Sequence, residues 1–293
     1  MPKVATLVAL LVGTSIFIQP NQAMSQTAKP DTLKKDTINI WVPSMITSLN
    51  VSQIAFSNWT QGGSNSLSWN VLAKAGYDFK GETWSLQNHG TLQYGRTKLG
   101  SQGSITTDNE ILLENVLVYH IGWVTDPFFS NTIITTLAQG YNYGSNPPVS
   151  IANFFDPGYV TQSLGFSYNK VANFTTRLGI AAQEVFTNKY RQYTNNPGTI
   201  GNLKAFKVDA GLESVTQAKV EIADNILLTT GLRLFTRFNS LSVWDVRWDN
   251  VIVAKVNSFI NVNFNYQLVY QKDQSFTTQM KEGLQIGATY TIF

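Results

Sequence analysis

From about residue 46 onward, apolar and polar side chains alternate along the chain with a period of two. The clearest stretch is Phe259 to Gln271, where every second residue from Ile260 to Tyr270 is apolar and most positions between them are Asn or Gln. A period of two places alternate side chains on opposite faces of a β-strand, whereas a helix repeats every 3.6 residues. The pattern therefore predicts strands with one apolar and one polar face.

The alternation divides into about twelve segments, and most of them are far longer than the five or six residues usual for strands of soluble proteins. A tilted strand needs about 9 to 11 residues to cross a bilayer, so these segments fit a membrane wall. The predicted strands are 46–57, 66–79, 83–97, 107–121, 130–143, 158–169, 173–186, 205–222, 225–238, 244–256, 258–271 and 279–293.

The predicted connections alternate between short and long. The short ones are 80–82, 170–172, 223–224 and 257, with a slightly longer one near Asp126 and Pro127; the long ones are 58–65, 99–106, 144–157, 188–204, 239–243 and 272–278. Short periplasmic turns and long outer loops are typical of outer-membrane barrels, and an even strand number places both termini in the periplasm. The predicted fold is all-β, a transmembrane antiparallel up-and-down barrel of about twelve strands with periplasmic termini.

Aromatic residues on the apolar face gather near both ends of the predicted strands, as expected of rings at two membrane interfaces. Near the short turns are Tyr77, Phe79, Trp84, Tyr119, Phe166, Tyr168, Phe174 and Tyr290; near the long loops are Trp69, Tyr94, Tyr141, Tyr143, Phe238, Trp244 and Tyr270. A soluble β-sandwich or a periplasmic lipid-binding barrel also alternates. Those folds favour shorter strands and more Lys and Glu on the surface.

The first 25 residues have the order of a secretory signal peptide: Lys3, an apolar run over 4–18, and a small-residue exit at Ala23-Met24-Ser25. A membrane-anchoring helix needs about 20 apolar residues, and this run is shorter. We therefore divide the chain into a signal peptide (1–25), a periplasmic linker (26–44) and a barrel (45–293). The terminal Phe293 resembles the signal for outer-membrane barrel assembly, although it is out of phase with the outward series that ends at Ile292.

Composition supports this placement and excludes several functions. Charged residues make up only 13% of the 293 residues, about half the share in soluble domains, so something other than water must cover much of the surface. The net charge of +3 is too small for a nucleic-acid partner. There is no cysteine, and the sequence has no histidine cluster, dinucleotide motif or phosphate loop, so neither a metal nor a cofactor is expected.

Charged residues on the polar face are predicted to line the lumen. They are Lys74, Asp78, His89, Asp108, Glu110, Glu114, Arg177, Lys207, Asp209, Glu213, Lys219, Glu221, Arg233, Arg237, Asp245, Arg247, Asp249 and Lys255. The two signs nearly cancel, which suits either a general polar channel or cross-barrel ion pairs that fill the interior. The lumen of a twelve-stranded barrel is wider than that of an eight-stranded barrel, which side chains just fill, and narrower than that of an open porin. Its width is therefore consistent with either a channel or a filled interior.

No catalytic residue is expected. The only histidines are His89 and His120, and His89 lies on the polar face, whereas a hydrolase of membrane lipids needs its His and Ser towards lipid. No G-x-S-x-G elbow is present. Acidic pairs such as Asp108 and Glu110 more often face Arg than shuttle protons.

Several motifs resemble a Bacteroidota outer-membrane family known only as domain of unknown function number 3078. They are Trp59 with Gly62 and Gly63, Tyr94-Gly95, Thr107-Asp108, Gln139-Gly140-Tyr141, and Asn153-Phe154 with Pro157 and Tyr159. The resemblance implies no activity. In physical terms, the glycines suit positive backbone angles in the first outer loop, Trp59 suits the rim, and Asn153, Asp156 and Pro157 suit turn caps and the end of a loop.

Three functions are consistent with these patterns. The first is a nonenzymatic barrel in the outer membrane of a Gram-negative bacterium that passes or binds small polar solutes. The second is a closed structural barrel whose outer loops, notably 144–157 and 188–204, dock partners. The third is an outer-membrane lipid or glycan hydrolase. In each case the expected partners are outer-membrane lipid and the barrel-assembly machinery.

Overall fold

In the computed structural model, the described residues are 39–57, 63–195, 201, 203–272 and 275–291. Within them, twelve strands form one closed antiparallel barrel, and two more form a small hairpin outside the wall. The barrel strands are β1 (Ile40–Ile54), β2 (Ser66–Lys80), β3 (Trp84–Leu99), β4 (Ile105–Tyr119), β5 (Asp126–Thr135), β8 (Gly158–Val171), β9 (Phe174–Phe186), β10 (Phe206–Ala223), β11 (Ile226–Arg237), β12 (Trp244–Lys255), β13 (Ile260–Tyr270) and β14 (Gln279–Thr291). The hairpin is β6 (Gly140–Asn142) with β7 (Val149–Ala152), and a short 3-10 helix covers Arg191–Thr194.

The barrel confirms the predicted all-β, up-and-down architecture. Each barrel strand pairs with the next barrel strand along the chain, and β1 closes the wall against β14. Hereafter the end with the short connections is the turn side and the other end is the loop side. The predicted signal peptide lies outside the described residues, as does the terminal Phe293. No helix among the described residues is long and apolar enough to cross a membrane.

Two strand boundaries differ from the prediction. β1 begins at Ile40, inside the segment predicted to be a linker, and β5 covers Asp126–Thr135 rather than 130–143. Asp126-Pro127 looked like a turn, but both residues are in the strand. The fully buried Asp126 carboxylate accepts from the backbone N–H of Ile121 (3.2 Å) and pairs with Lys170 (3.0 Å), which fastens the turn before β5 from inside. Pro127 is tolerated because it is at the strand start.

The outer face of the wall is apolar and exposed. Leu178 is 62% exposed and Ile180 57%, whereas Arg177, one residue earlier on the inner face of the same strand, is 8% exposed. Exposed apolar surface of this extent does not persist in water, so it is the surface that faces hydrocarbon. The fold is therefore a transmembrane barrel of the outer-membrane type.

Aromatic rings pack at both ends of this apolar band. On the turn side, Trp41 stacks on Tyr77 at a centroid distance of 4.6 Å. On the loop side, Phe186 and Phe206 lie 4.9 Å apart. Amphipathic and aromatic rings of this kind mark the two levels at which a barrel meets the lipid headgroups. Trp41 extends the turn-side girdle into the segment predicted to be a linker.

Candidate functional site

The inner face of the barrel carries the charged residues that the sequence singled out. Strand alternation and burial place the following on the lumen side: Lys74, Asp78, His89, Asp108, Glu110, Glu114, Arg177, Lys207, Asp209, Glu213, Lys219, Arg233, Arg237, Asp245, Arg247 and Asp249. Most take part in ion pairs with each other. The lumen is therefore the candidate functional site.

One ion pair crosses the turn-side half of the lumen. The guanidinium of Arg177 on β9 donates to Oε1 of Glu114 on β4 at 2.6 Å. Strands β5 and β8 lie between β4 and β9 in the wall, so the two side chains meet inside the barrel rather than along it. Their exposed fractions are 9% and 16%, and a charge-assisted pair this shielded is a strong contact.

A second ion pair crosses the loop-side half. The ammonium of Lys281 on β14 donates to Oδ1 of Asp108 on β4 at 2.5 Å and to the carbonyl oxygen of Thr107 at 3.3 Å. Strands β1, β2 and β3 separate β14 from β4. The loop-side part of β14 is thus tied to a strand on another part of the wall.

Arginine and a buried ring fill the part of the lumen next to β10, β11 and β12. Arg233 donates to Glu213 at 2.6 Å, and Arg237 pairs with Asp209 at 2.8 Å. Between the two arginines lies Phe235, which is 0% exposed, with the guanidinium carbons 5.9 and 5.6 Å from its ring centroid. Cation–π contact and ion pairing together hold this layer in place.

On the opposite part of the lumen, next to β13, β1 and β2, the contacts are mainly between amide side chains. Asn263 donates to Asn50 at 3.1 Å, Asn50 donates to Asn70 at 3.3 Å, and Asn70 donates to Asp108 at 2.7 Å. The chain of contacts crosses two glycines. A Cβ on Gly287 would lie 2.1 Å from Oδ1 of Asn50, and one on Gly95 would lie 2.8 Å from Oδ2 of Asp108. Glycine at these positions lets neighbouring side chains meet over the wall.

Apolar side chains also occupy the lumen, which the sequence analysis did not foresee. One cluster is Leu112, Ile134, Tyr159, Val185 and Val215, with Tyr193 of the 3-10 helix packed against it from the loop side. A second cluster is Val116, Val118 and Phe128. Burial raises the pKa of the Tyr193 phenol above its ordinary value, so this side chain stays neutral. The signal was in the sequence: Leu112, Val116 and Val118 share the phase of the polar residues Glu110 and Glu114.

A turn-side and a loop-side cavity lie inside the described part of the barrel. The turn-side cavity, of about 340 Å³, is lined by His89, Glu114, Arg177 and Lys219 among others. The loop-side cavity, of about 550 Å³, is lined by Asn50, Asn70, Asp108, Tyr143 and Lys281 among others. The level between them holds side chains almost inaccessible to water, such as Glu110 (4% exposed), Gln267 (7%) and Asp249 (2%). Side chains therefore narrow the described lumen between the two cavities.

His89 faces the turn-side cavity and pairs with Asp78 at 3.0 Å. The pair lies on the inner face of the wall, so it is turned away from lipid. Among the described residues, no group of three or more His, Cys, Asp and Glu side chains is gathered as a metal site would require. The arrangement can orient a polar solute or a water molecule.

The motif residues serve mainly to hold the loops together. The Asp156 carboxylate accepts from the backbone N–H groups of Asn188 and Lys189, both at 2.8 Å, and of Tyr190 at 3.3 Å. The hydroxyl of Tyr190 contacts that of Ser150 on β7. These contacts join the loop after β5 to the loop after β9 and place Tyr193 over the lumen.

The remaining motif residues have distinct positions. Gln139 donates to Ser150 at 2.8 Å and accepts from Tyr141, while Gly140 packs against Ala152 in the hairpin. Tyr94 is on the outer face, 6.0 Å from Trp69. Phe154 is 60% exposed, and Asn153 accepts from the backbone N–H of Phe154. Gly63 has the positive φ of 123° expected there; Trp59 and Gly62 lie outside the described residues.

Comparison with known families finds one match: residues 51–141 fit the family described as "Protein of unknown function (DUF3078)". This is the family to which the motifs pointed, and the match supports an uncharacterised family for that part of the chain. Its bacterial group stays a prediction. No curated protein matches the chain.

Among solved structures, the chain is similar to several outer-membrane barrels at low identity. The translocator domain of autotransporter NalP from Neisseria meningitidis is 12% identical (TM-score 0.37), with 88% of this chain and 90% of that chain covered. The COG4313 outer membrane channel from Pseudomonas putida F1 is 10% identical (TM-score 0.41; 89% and 99% covered). The NanC porin is 10% identical (TM-score 0.39; 84% and 98% covered).

Proposed function

We propose that this protein is a nonenzymatic barrel in the outer membrane of a Gram-negative bacterium that binds small polar solutes in its lumen and passes them when its internal ion pairs separate. The observation that carries the proposal is a cavity on each side of a lumen that side chains narrow midway, the turn-side cavity being lined mainly by polar groups. Because this constriction consists of side chains on the wall, it can open without unfolding a domain.

The chemistry of the lumen favours polar solutes of no strong charge preference. Positive and negative residues alternate around the wall and pair with each other, so neither sign of ion meets a uniform field. Buried ion pairs are costly to desolvate, and apolar residues of the same volume often stabilise a protein better. An interior that keeps its ion pairs is suited to periodic contact with water and solute.

The proposal includes an orientation. The short turns and both termini face the periplasm, and the long loops face the outside, as in bacterial barrels of this architecture. Residues 1–25 direct export, and the linker that precedes β1 is periplasmic. The barrel-assembly machinery inserts the wall into outer-membrane lipid. Protease added outside intact cells is expected to cut the loops between β9 and β10 and to leave the termini untouched.

Conductance in planar bilayers tests passage directly. The full chain is expected to conduct in brief, small steps, and the Glu114→Ala/Arg177→Ala double variant is expected to conduct more, because the cross-lumen pair is gone. Glu184→Ala is the matched control, since Glu184 is on the outer face of the same strand as Arg177. Folded barrels that show neither conductance nor solute uptake, with or without the ion pair, would rule out passage.

A second candidate is a closed barrel whose outer loops dock a partner protein. The observation that favours it is the rigid link between the two longest outer loops through Asp156, Tyr190 and Ser150. Crosslinking from the loop side in whole cells would recover a stoichiometric partner under this alternative, and none under solute passage.

A further inference from the structure

The seam where the barrel closes is paired along only part of its length. β1 and β14 pair from Ile46 with Thr291 to Val51 with Ile286. β1 continues to Ile54, and β14 extends to Gln279, yet among the described residues no pairing joins these loop-side parts. On the other side of each strand, β1 pairs with β2 up to Ile54 and β14 pairs with β13 up to Gln279.

Side-chain contacts tie the two strands to different neighbours. At the base of the unpaired stretch, Asn263 reaches over Gly287 to Asn50 and joins β13 to β1. Above it, Lys281 binds Asp108 across the lumen. The loop-side part of β14 is thus drawn towards β4, while the loop-side part of β1 stays with β2.

The loop-side cavity lies in this gap and touches both faces of the wall. Its lining includes the lumen-facing residues Asn50, Ser52 and Asn70, and also Val51 and Leu284, which are on the outer face. Leu284 is 69% exposed, and its outer-face neighbours Met280 and Ile286 are 57% and 64% exposed. Glu282, between Met280 and Leu284 on the same face, is also exposed and lines the cavity, so the gap lies at the loop-side edge of the apolar band, where the cavity reaches the outer face.

Unpaired strand edges are not stable against lipid. Each unsatisfied backbone N–H or C=O in hydrocarbon costs several kcal/mol, and open edges at this depth occur only where they line a wet cavity or meet an occupant. β1 begins at the turn side, so the chain enters the wall at the end opposite the gap.

We propose that the unpaired seam between β1 and β14 is a lateral entrance through which a neutral amphiphile from the outer leaflet enters the loop-side cavity head first, leaving its acyl chain in the gap. The apolar chain contacts Val51 and Leu284, while hydroxyl or amide groups of the head bind Asn50, Ser52 and Asn70. An uncharged head is favoured because Lys281 and Asp108 neutralise each other at the inner end, and the carboxylate of Glu282, which also lines the cavity, disfavours an anionic head. The entrance does not depend on passage of polar solutes through the lumen.

The chain has no cysteine, so single substitutions report on the seam without background. Ser52→Cys and Ser48→Cys both place a thiol on the lumen side of β1, but only Ser48 is in the paired part, opposite Thr289. Each variant is labelled with a fluorophore and inserted into vesicles of phosphatidylcholine brominated on its acyl chains. The Ser52→Cys label is expected to be quenched several-fold more than the Ser48→Cys label. Equal quenching at the two positions would overturn the entrance.

Disulfide formation gives a second measurement that needs no lipid probe. Two cysteines bridge only when their Cα atoms are about 4.4 to 6.8 Å apart. Ser48→Cys/Thr289→Cys is expected to oxidise quickly, and Ser52→Cys/Gln285→Cys several-fold more slowly. Equal rates would show that the seam is closed, and a disulfide between two copies through Ser52→Cys would assign the gap to a second barrel instead.

The class of amphiphile is tested by protection. In detergent micelles, monodecanoylglycerol is expected to slow the reaction of Ser52→Cys with a water-soluble maleimide several-fold and to leave Ser48→Cys unchanged. Decanoate and decylamine, which have the same chain and a charged head, are expected to protect less. Stronger protection by either charged compound, or no protection by any of the three, would contradict the assignment of a neutral head.

Discussion

The two halves of the lumen are built differently. Next to β4, β5 and β8–β11 the interior resembles the core of a soluble protein, with two apolar clusters and a ring enclosed by arginines. Next to β12–β14, β1 and β2 it consists largely of amide contacts, and the wall itself is partly unpaired. The packed half fixes the shape of the barrel, and the amide half is the part that can admit water, solute or lipid.

The difference follows from what each kind of contact loses when it is disturbed. A buried apolar side chain that is removed leaves a void that its neighbours fill only in part. An amide that is removed leaves partners that lumen water can satisfy, so the net loss is small. Substitutions in the two halves should therefore lower the free energy of unfolding by different amounts, even where the residues are equally buried.

Phe235→Ala should have the largest effect on stability. The ring is 0% exposed, and its loss removes the contact shared by Arg233 and Arg237, so we expect a fall in the free energy of unfolding of about 3 to 5 kcal/mol. Phe264→Ala in the amide half is the matched control: its ring is 37% exposed on the lipid side, where acyl chains fill the space. Urea unfolding in lipid vesicles measures both, and equal losses would remove the distinction between the halves.

Arg177→Ala should rank second. It leaves the Glu114 carboxylate without the guanidinium that binds it at 2.6 Å. Because the turn-side cavity lets water reach this carboxylate, we expect the free energy of unfolding to fall by about 1.5 to 3 kcal/mol, less than for a charge that water cannot reach. The same unfolding assay on Arg177→Ala/Glu114→Ala should show a smaller loss than the single variant; a larger one would mean that the ion pair contributes nothing.

Asn50→Ala tests the amide half and should cost less. The side chain contacts Asn70 and Asn263, and water can take its place, so a loss of about 0.5 to 1.5 kcal/mol is expected. Hydrogen exchange should rise at the loop-side part of β14 and remain unchanged in β9. If the fall in stability matches that of Phe235→Ala, the amide half is as tightly built as the packed half.

Asp156→Asn should have the smallest effect on global stability, because Asp156 is in a loop beyond the wall. Its carboxylate binds three consecutive backbone N–H groups, and an amide can accept from them only through its single oxygen. We expect limited proteolysis between β9 and β10 to speed up while the unfolding midpoint stays nearly constant. An unchanged rate of cleavage would show that other contacts hold the loop.

The sequence was sufficient to predict the sidedness of the wall, because a period of two leaves each residue only two faces to choose from. It misplaced β5, since Asp126-Pro127 has the composition of a turn and only the buried contacts with Ile121 and Lys170 reveal a strand. It also missed the apolar clusters. Alternation tells which side Leu112 or Phe128 faces, but whether an inward apolar residue finds a partner depends on strands distant in sequence.

The alternation pattern could not predict the contacts in the lumen either, because their partners are also distant in sequence. Nothing near Lys281 in the chain indicates Asp108, and nothing near Arg177 indicates Glu114. The charges themselves could be assigned to the lumen, since they fall on the polar face. Their pairing across the barrel, the narrowing of the lumen and the gap beside β14 depend on the register and tilt of the whole wall.

The central claim is that hydrocarbon covers the apolar outer face. Removing detergent from the purified full chain and measuring its size by sedimentation tests this most directly, with reconstitution into vesicles as the parallel sample. We predict aggregation in plain buffer and stable, urea-resistant association with the vesicles. A monodisperse monomer in plain buffer, with Leu178 and Ile180 shielded from solvent, would contradict the account.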